Sequence, residues 1–97
     1  MAKFPLPPTD ARGRRVRKGA RVRIVGVPDL SNMSEANQAE CEPIFRHIHG
    51  TCRRVEKFDR YGLAVIFFKI RTGRLAGWHS VNIEPYLLLV QREHHGA

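Results

Sequence analysis

The sequence lacks several features that define common classes of protein. No apolar run approaches the roughly 18 residues that a membrane-spanning helix requires. The first residues, Met-Ala-Lys-Phe-Pro-Leu-Pro-Pro, contain no apolar segment of the kind found in secretory signals. The chain of 97 residues has only two cysteines, Cys41 and Cys52, which is too few for a disulfide framework. These absences predict a cytoplasmic protein with free thiols.

Signatures of catalysis are also missing. The sequence has no serine-centred nucleophile elbow, no glycine loop that cradles phosphate and no paired carboxylates. Cys52 and His79 could formally form a nucleophilic pair, but no orienting third group or oxyanion site accompanies them. We therefore predict that the protein is not an enzyme and uses no cofactor.

Four side chains that commonly bind soft metals lie within twelve positions, namely Cys41, His47, His49 and Cys52. A zinc site needs four ligands that converge tetrahedrally, usually with closely spaced cysteine pairs. That pairing is absent, and Pro43 separates Cys41 from the other three. The prediction is therefore no metal site.

Acidic residues are scarce, with 9 Asp and Glu against 17 Lys and Arg, for a net charge of +8. Residues 1–18 hold six basic side chains and one acid, and three of the six prolines fall among the first eight residues. We predict a basic, flexible N-terminal arm over 1–18. Such an arm attracts phosphates or acidic protein surfaces; the alternative is a solvated tail that only aids solubility.

Strand patterns are abundant. Leu63 to Ile70 is apolar except for Lys69, which predicts a strand at the centre of a small sheet or barrel, with Ala64, Ile66, Phe68 and Ile70 on one face. Arg21 to Val25 alternates basic and apolar residues, as in a half-exposed strand. Further strands are predicted over 51–58, with a bend, and over 78–83 and 87–90. A short helix is predicted over 34–42, ending at Pro43 or restarting there.

Trp78 has two possible environments. On the strand over 78–83 it points away from Val81 and Ile83 and could belong to an exposed aromatic patch flanked by Arg23, Arg53 and Lys69. Alternatively, the long loop covers it, and this is the default because large aromatic side chains are usually mostly buried.

Five short strands, a long first excursion and a single-turn helix before the last strand resemble an SH3-like β-barrel. The resemblance rests on Lys18-Gly-Ala-Arg-Val-Arg-Ile24, on the strand from Gly50 to Val55, and on Val81-Asn-Ile-Glu-Pro-Tyr-Leu-Leu88. The layout is similar to bacterial SH3-like domains such as the myxobacterial carotenogenesis antirepressor and part of the nitrile hydratase β subunit. It implies an all-β, five-stranded SH3-like barrel over 19–90, with a short helix in the first long loop and a loose tail over 91–97.

Two departures limit what this resemblance implies about function. The first long loop has no tyrosine, whereas the proline-peptide groove of eukaryotic SH3 domains needs paired tyrosines. The antirepressor presents an acidic surface that resembles DNA, whereas this chain is strongly basic.

We predict a non-catalytic binding module that recognises a polyanion, above all nucleic acid, through phosphate contacts and a stacking contribution from Trp78. No membrane partner is expected. The alternative is a protein-interaction adaptor or regulator, or an accessory subunit of an enzyme complex, whose site is the long first loop with the Trp78 face. The candidate site residues are Arg12, Arg14, Arg15, Arg17, Lys18, Arg21, Arg23, Arg53, Lys69 and Trp78.

Overall fold

The alternating segments form strands, and these make up most of the regular structure. The computed structural model describes residues 7–91; residues 1–6 of the predicted arm and 92–97 of the predicted tail lie outside that range. The elements are β1 (Arg21–Ile24), α1 (Glu35–Ile48), β2 (Cys52–Arg54), β3 (Lys57–Phe58), β4 (Ala64–Ile70), β5 (Gly77–Ile83), a 3-10 turn (Pro85–Leu87) and β6 (Leu88–Val90).

The strands form two small antiparallel sheets of three strands each. The first sheet has the order β2-β1-β6, and the second has the order β3-β4-β5. The coarse prediction of a β-rich domain with one helix in its first long connection is confirmed.

The predicted strand over 51–58 bends, as its irregular apolar spacing indicated, and the bend divides it between the two sheets. β2 pairs with β1, whereas β3 pairs with β4. Val55 lies at the division and is fully buried. Residues 7–91 therefore contain six strands where the sequence predicted five.

β4 carries the core between the sheets. Ala64, Ile66, Phe68 and Ile70 are all buried, so the predicted inner face is confirmed. The opposite face of β4 is more exposed to solvent than the sequence suggested, because Phe67 is 51% exposed.

The helix α1 is longer than predicted. Ser34 is its N-cap, with the side-chain oxygen accepting a hydrogen bond from the backbone N–H of Asn37. The prediction of an end or restart at Pro43 is wrong, because the helix continues through Pro43 to Ile48. Phe45 and Ile48 are buried in the core, and their burial, at about 1.5–3 kcal/mol each, is enough to offset the proline penalty of about 3 kcal/mol.

Candidate nucleic-acid interface

The basic N-terminal segment is folded onto the first sheet over its described part. Thr9 and Arg15 form an isolated antiparallel bridge, and the backbone N–H of Ala11 donates to the carbonyl of Leu88 at 2.9 Å. Val16 is 1% exposed and belongs to the core. Between residues 8 and 16 the predicted arm is therefore an anchored turn.

Asp10 organises this turn. Its Oδ1 accepts hydrogen bonds from the backbone N–H groups of Arg12 and Arg14, each at 2.9 Å. Its Oδ2 accepts one from the N–H of Val90 at 2.9 Å and lies 3.5 Å from Nε of Arg14. The carboxylate thus fastens the basic turn to β6.

The charge of Asp10 is stabilised where it lies. Burial acts to raise the pKa of this carboxyl group, but the N–H donors of Val90, Arg14 and Arg12, with the charge of Arg14, outweigh burial and lower the pKa below its ordinary value of 3.8. The turn is consequently held by an ionised carboxylate at neutral pH.

Most cations on this surface have no acidic partner. The described residues contain only two ion pairs, Arg14 with Asp10 and Arg46 with Glu42. On the N-terminal segment and β1, six of the predicted site residues are exposed and form no ion pair or side-chain hydrogen bond within residues 7–91. They are Arg12, Arg15, Arg17, Lys18, Arg21 and Arg23.

Two of these arginines, Arg21 and Arg23, lie on the outer face of the first sheet together with a third, Arg54. Arg21 and Arg23 alternate with the buried Val22 and Ile24 on β1. Arg54 of β2 lies directly opposite Arg21, so the two side chains share the outer face. Like charges directly opposite each other destabilise a sheet, and only Arg54 is compensated in part, by donating to the carbonyl of Gly19 at 2.7 Å.

Sequence reasoning missed Arg54. Strand alternation requires that one of the adjacent Arg53 and Arg54 faces outward, but only the register of β2 against β1 decides which. The sequence offered two signals for the pairing of β2: a glycine that precedes the strand and a basic strand that could pair with it. Neither signal determines the register.

Arg53 lies apart from the other predicted site residues. It sits opposite Val22, a core residue, and its guanidinium carbon lies 5.2 Å from the centre of the Phe68 ring. Phe68 stacks in turn on His79, with ring centres 5.6 Å apart. Arg53 therefore covers one end of the core.

Trp78 is on the outer face of the second sheet and is 75% exposed. The default expectation that the long loop buries it is wrong. Lys69 lies directly opposite on β4, with its Nζ 5.8 Å from the centre of the indole. Phe67 is exposed as well, at 51%, and lies opposite Ser80 on the same face. Trp78 and Phe67 are thus exposed on one face with Lys69, whereas Val65 is buried and Arg23 lies on the other sheet.

The helix α1 and the edge strand β5 enclose a cavity of about 230 Å³. The cavity is largely apolar in its lining, which comprises Met33, Cys41, Ile44, Phe45, Ser80, Val81 and Asn82. This cavity joins the long connection to β5 but is not lined by Trp78, so the alternative site predicted from the sequence, the long first loop with the Trp78 face, stays a prediction.

Residues suited to metal binding do not converge in the part of the chain that the structure describes. No group of three or more His, Cys, Asp or Glu side chains there is arranged to hold a metal ion. Cys41 and Cys52 are free and half-buried. The ring Nε2 of His79 is engaged by the carbonyl of Leu75 at 2.6 Å.

Over residues 7–91, no helix has the length and apolar character needed to cross a membrane. No protein-family model, curated protein sequence or solved structure matches this chain.

Proposed function

We propose that the protein is a non-catalytic module that binds nucleic acid through its phosphate backbone. One observation carries the proposal: the anchored turn and the outer face of the first sheet expose cations that no carboxylate of the described residues neutralises. We call this surface the arginine face; it comprises Arg12, Arg15, Arg17, Lys18, Arg21, Arg23 and Arg54.

The backbone that carries the arginine face is already ordered. Asp10 and the buried Val16 fix the turn, so binding does not have to order the whole segment and loses less conformational entropy than a free arm would. Phosphate contacts of this kind give affinity and orientation with no base preference.

We also propose that the two sheets form an SH3-like barrel. The order of elements supports this assignment, since a long excursion follows β1 and a 3-10 turn precedes β6. In this arrangement Arg21, Arg23 and Arg54 lie on the outer surface of the first sheet, and Trp78 lies on the outer surface of the second.

The test is the salt dependence of binding to a fluorescently labelled oligonucleotide duplex. A protein that neutralises six phosphates loses about a thousandfold in affinity between about 50 and 200 mM salt. Single substitutions Arg15→Ala, Arg21→Ala and Arg23→Ala should each weaken binding and lower the slope of log affinity against log salt by about one.

Arg46→Ala is the matched control, because it removes the same charge from α1, where Arg46 is already paired with Glu42 at 2.7 Å. If the three arginine-face variants behave like this control, or if the protein binds no oligonucleotide at low salt, the proposal is wrong. Point substitutions are preferred to deletion of residues 1–18, because deletion removes the core residue Val16.

The cavity beside β5 favours a second candidate function, capture of an apolar peptide segment. An edge strand next to an apolar concavity suits an extended peptide that adds to the sheet. Such an adaptor would hold its partner at high salt and lose it on Met33→Glu, since Met33 lines the cavity and is 41% exposed. Nucleic-acid binding, in contrast, should weaken at high salt and should not be lost on Met33→Glu.

A further inference from the structure

The outer face of the second sheet has a composition that neither the core nor the arginine face explains. Phe67 and Trp78 are on adjacent strands, at diagonal positions of the register, where aromatic side chains are within reach of each other. Both expose most of their surface, at 51% and 75%. We call this surface the aromatic face.

The two strands that form the aromatic face carry no acidic residue; the acid that comes near this group of cations is Glu40 of α1, which lines a concavity with Arg74. The sequence has no Asp or Glu between Asp59 and Glu84. Lys69 on β4 shares the face with Trp78, and Arg71 and Arg74 in the loop that joins β4 to β5 are exposed. Within residues 7–91 none of these three forms an ion pair.

Asp59, which precedes β4 in the chain, is already engaged at the other end of the sheet. Its Oδ1 accepts from the N–H groups of Tyr61 and Leu63, at 2.8 and 3.0 Å. Its Oδ2 accepts from Nδ2 of Asn82 at 2.8 Å. It therefore does not compensate the cations around Trp78.

We propose that the aromatic face binds a single-stranded stretch of nucleic acid, with bases stacked on Trp78 and Phe67 and phosphates held by Lys69, Arg71 and Arg74. The inference rests on the proposed function and extends it to a second surface and to unpaired bases. Bases stack on exposed aromatic side chains, and cations beside them neutralise the backbone that joins those bases.

An apolar protein partner fits this face less well. Covering Trp78 with an apolar surface would desolvate the ammonium of Lys69, 5.8 Å from the indole centre, without supplying a counter-charge. A nucleotide offers a planar ring to the indole and an anion to the ammonium. A duplex cannot make the same contact, because its base faces are covered by their neighbours in the stack.

The chain contains a single tryptophan, so the intrinsic fluorescence of the whole protein reports on this face. We expect single-stranded oligo(dT) and oligo(U) of matched length to quench this fluorescence, because a stacked base contacts the indole directly. A duplex of equal charge, heparin and poly-glutamate should leave it nearly unchanged at concentrations where they bind.

Affinity for a labelled single strand should fall about tenfold on Trp78→Ala. Trp78→Phe should restore most of the affinity, because a phenyl ring still stacks. Phe67→Ala should also weaken binding, with Trp78 left in place to report quenching. Met33→Ala is the matched control, an exposed apolar side chain on another surface.

The outcomes separate this inference from the proposed function. If labelled single strands bind by anisotropy while the tryptophan emission is unchanged, or if Trp78→Ala behaves like Met33→Ala, this inference is wrong and the arginine face stands. Equal quenching by poly-glutamate would point to an acidic protein and also overturn it. If no nucleic acid binds at low salt, both proposals fall.

Discussion

At the scale of single residues, the turn that bears Arg12, Arg14 and Arg15 depends on the side chain of Asp10. The carboxylate accepts three backbone N–H groups, from Arg12, Arg14 and Val90. Its residue is 4% exposed, so the acceptor side of these bonds is shielded from water.

We predict that Asp10→Ala lowers the free energy of unfolding by about 2 kcal/mol, because it leaves three partly buried backbone N–H groups without their acceptor. Urea unfolding monitored by far-ultraviolet circular dichroism measures the loss. Asp29→Ala is the control: that carboxylate is exposed and accepts from the neighbouring N–H of Ser31, so its removal should change stability little.

The effect of Asp10 should depend on pH with a defined sign. Its pKa is lower in the folded protein than the ordinary 3.8, so the stabilising contribution is complete above 3.8 and is lost as the pH falls through the folded value. The difference between wild type and Asp10→Asn should therefore shrink below pH 3.8. A difference that stays constant down to strongly acid pH would show that the charge of Asp10 is not what holds the turn.

At the scale of elements, the strands were predictable and their register was not. The alternation in β1 and the inner face of β4 follow from side-chain types alone. The position of Arg54 opposite Arg21 depends on how β2 slides against β1, and a shift of one residue would have put Arg53 there. This is why the sequence identified most of the basic surface but placed Arg53 in it.

The exposure of Trp78 and the length of α1 were beyond the sequence for a related reason. Both depend on how the long connection packs, and the apolar residues Phe45 and Ile48 showed only that it packs somewhere. In the structure these residues extend the helix into the core, while Trp78 stays uncovered on the opposite face of β5 from Val81.

Pro43 tests the account of α1. It lies inside the helix, is exposed, and lacks the N–H that would otherwise bond to the carbonyl of Ala39. We predict that Pro43→Ala raises the free energy of unfolding by about 2 kcal/mol. Alanine has the higher helix propensity, but part of that gain is offset because the unfolded chain loses the conformational restriction that proline imposes.

The same urea unfolding measures this gain, and Ala39→Gly is the opposite control in the same helix, expected to destabilise by about 1 kcal/mol. If Pro43→Ala instead lowers the free energy of unfolding, the proline is required for the helix to reach the core. The account in which core packing overrides the helix penalty of proline would then be wrong.

At the scale of the whole molecule, charge is divided unevenly. Three carboxylates lie on α1, from Glu35, Glu40 and Glu42, while the outer faces of both sheets are basic. A net charge of +8 on one small domain disfavours the compact state through self-repulsion. A ligand that neutralises the two sheet faces would relieve this repulsion as well as form contacts.

Salt should therefore act in opposite directions on the free protein and on its complex. Raising ionic strength from about 0.01 to 1 M shortens the screening length from about 30 to 3 Å, so the free protein should unfold at a higher temperature while its complex with nucleic acid dissociates.

Arg21→Gln, which removes one of two arginines placed directly opposite each other, should stabilise the free protein at low salt by about 0.5 kcal/mol and weaken binding. The gain should vanish at high salt. Arg46→Gln loses the same charge from an ion pair with Glu42 and should not stabilise at either salt concentration. If Arg21→Gln leaves stability unchanged at low salt, the crowded arginines carry no cost in the free protein, and their unpaired state ceases to support a binding role.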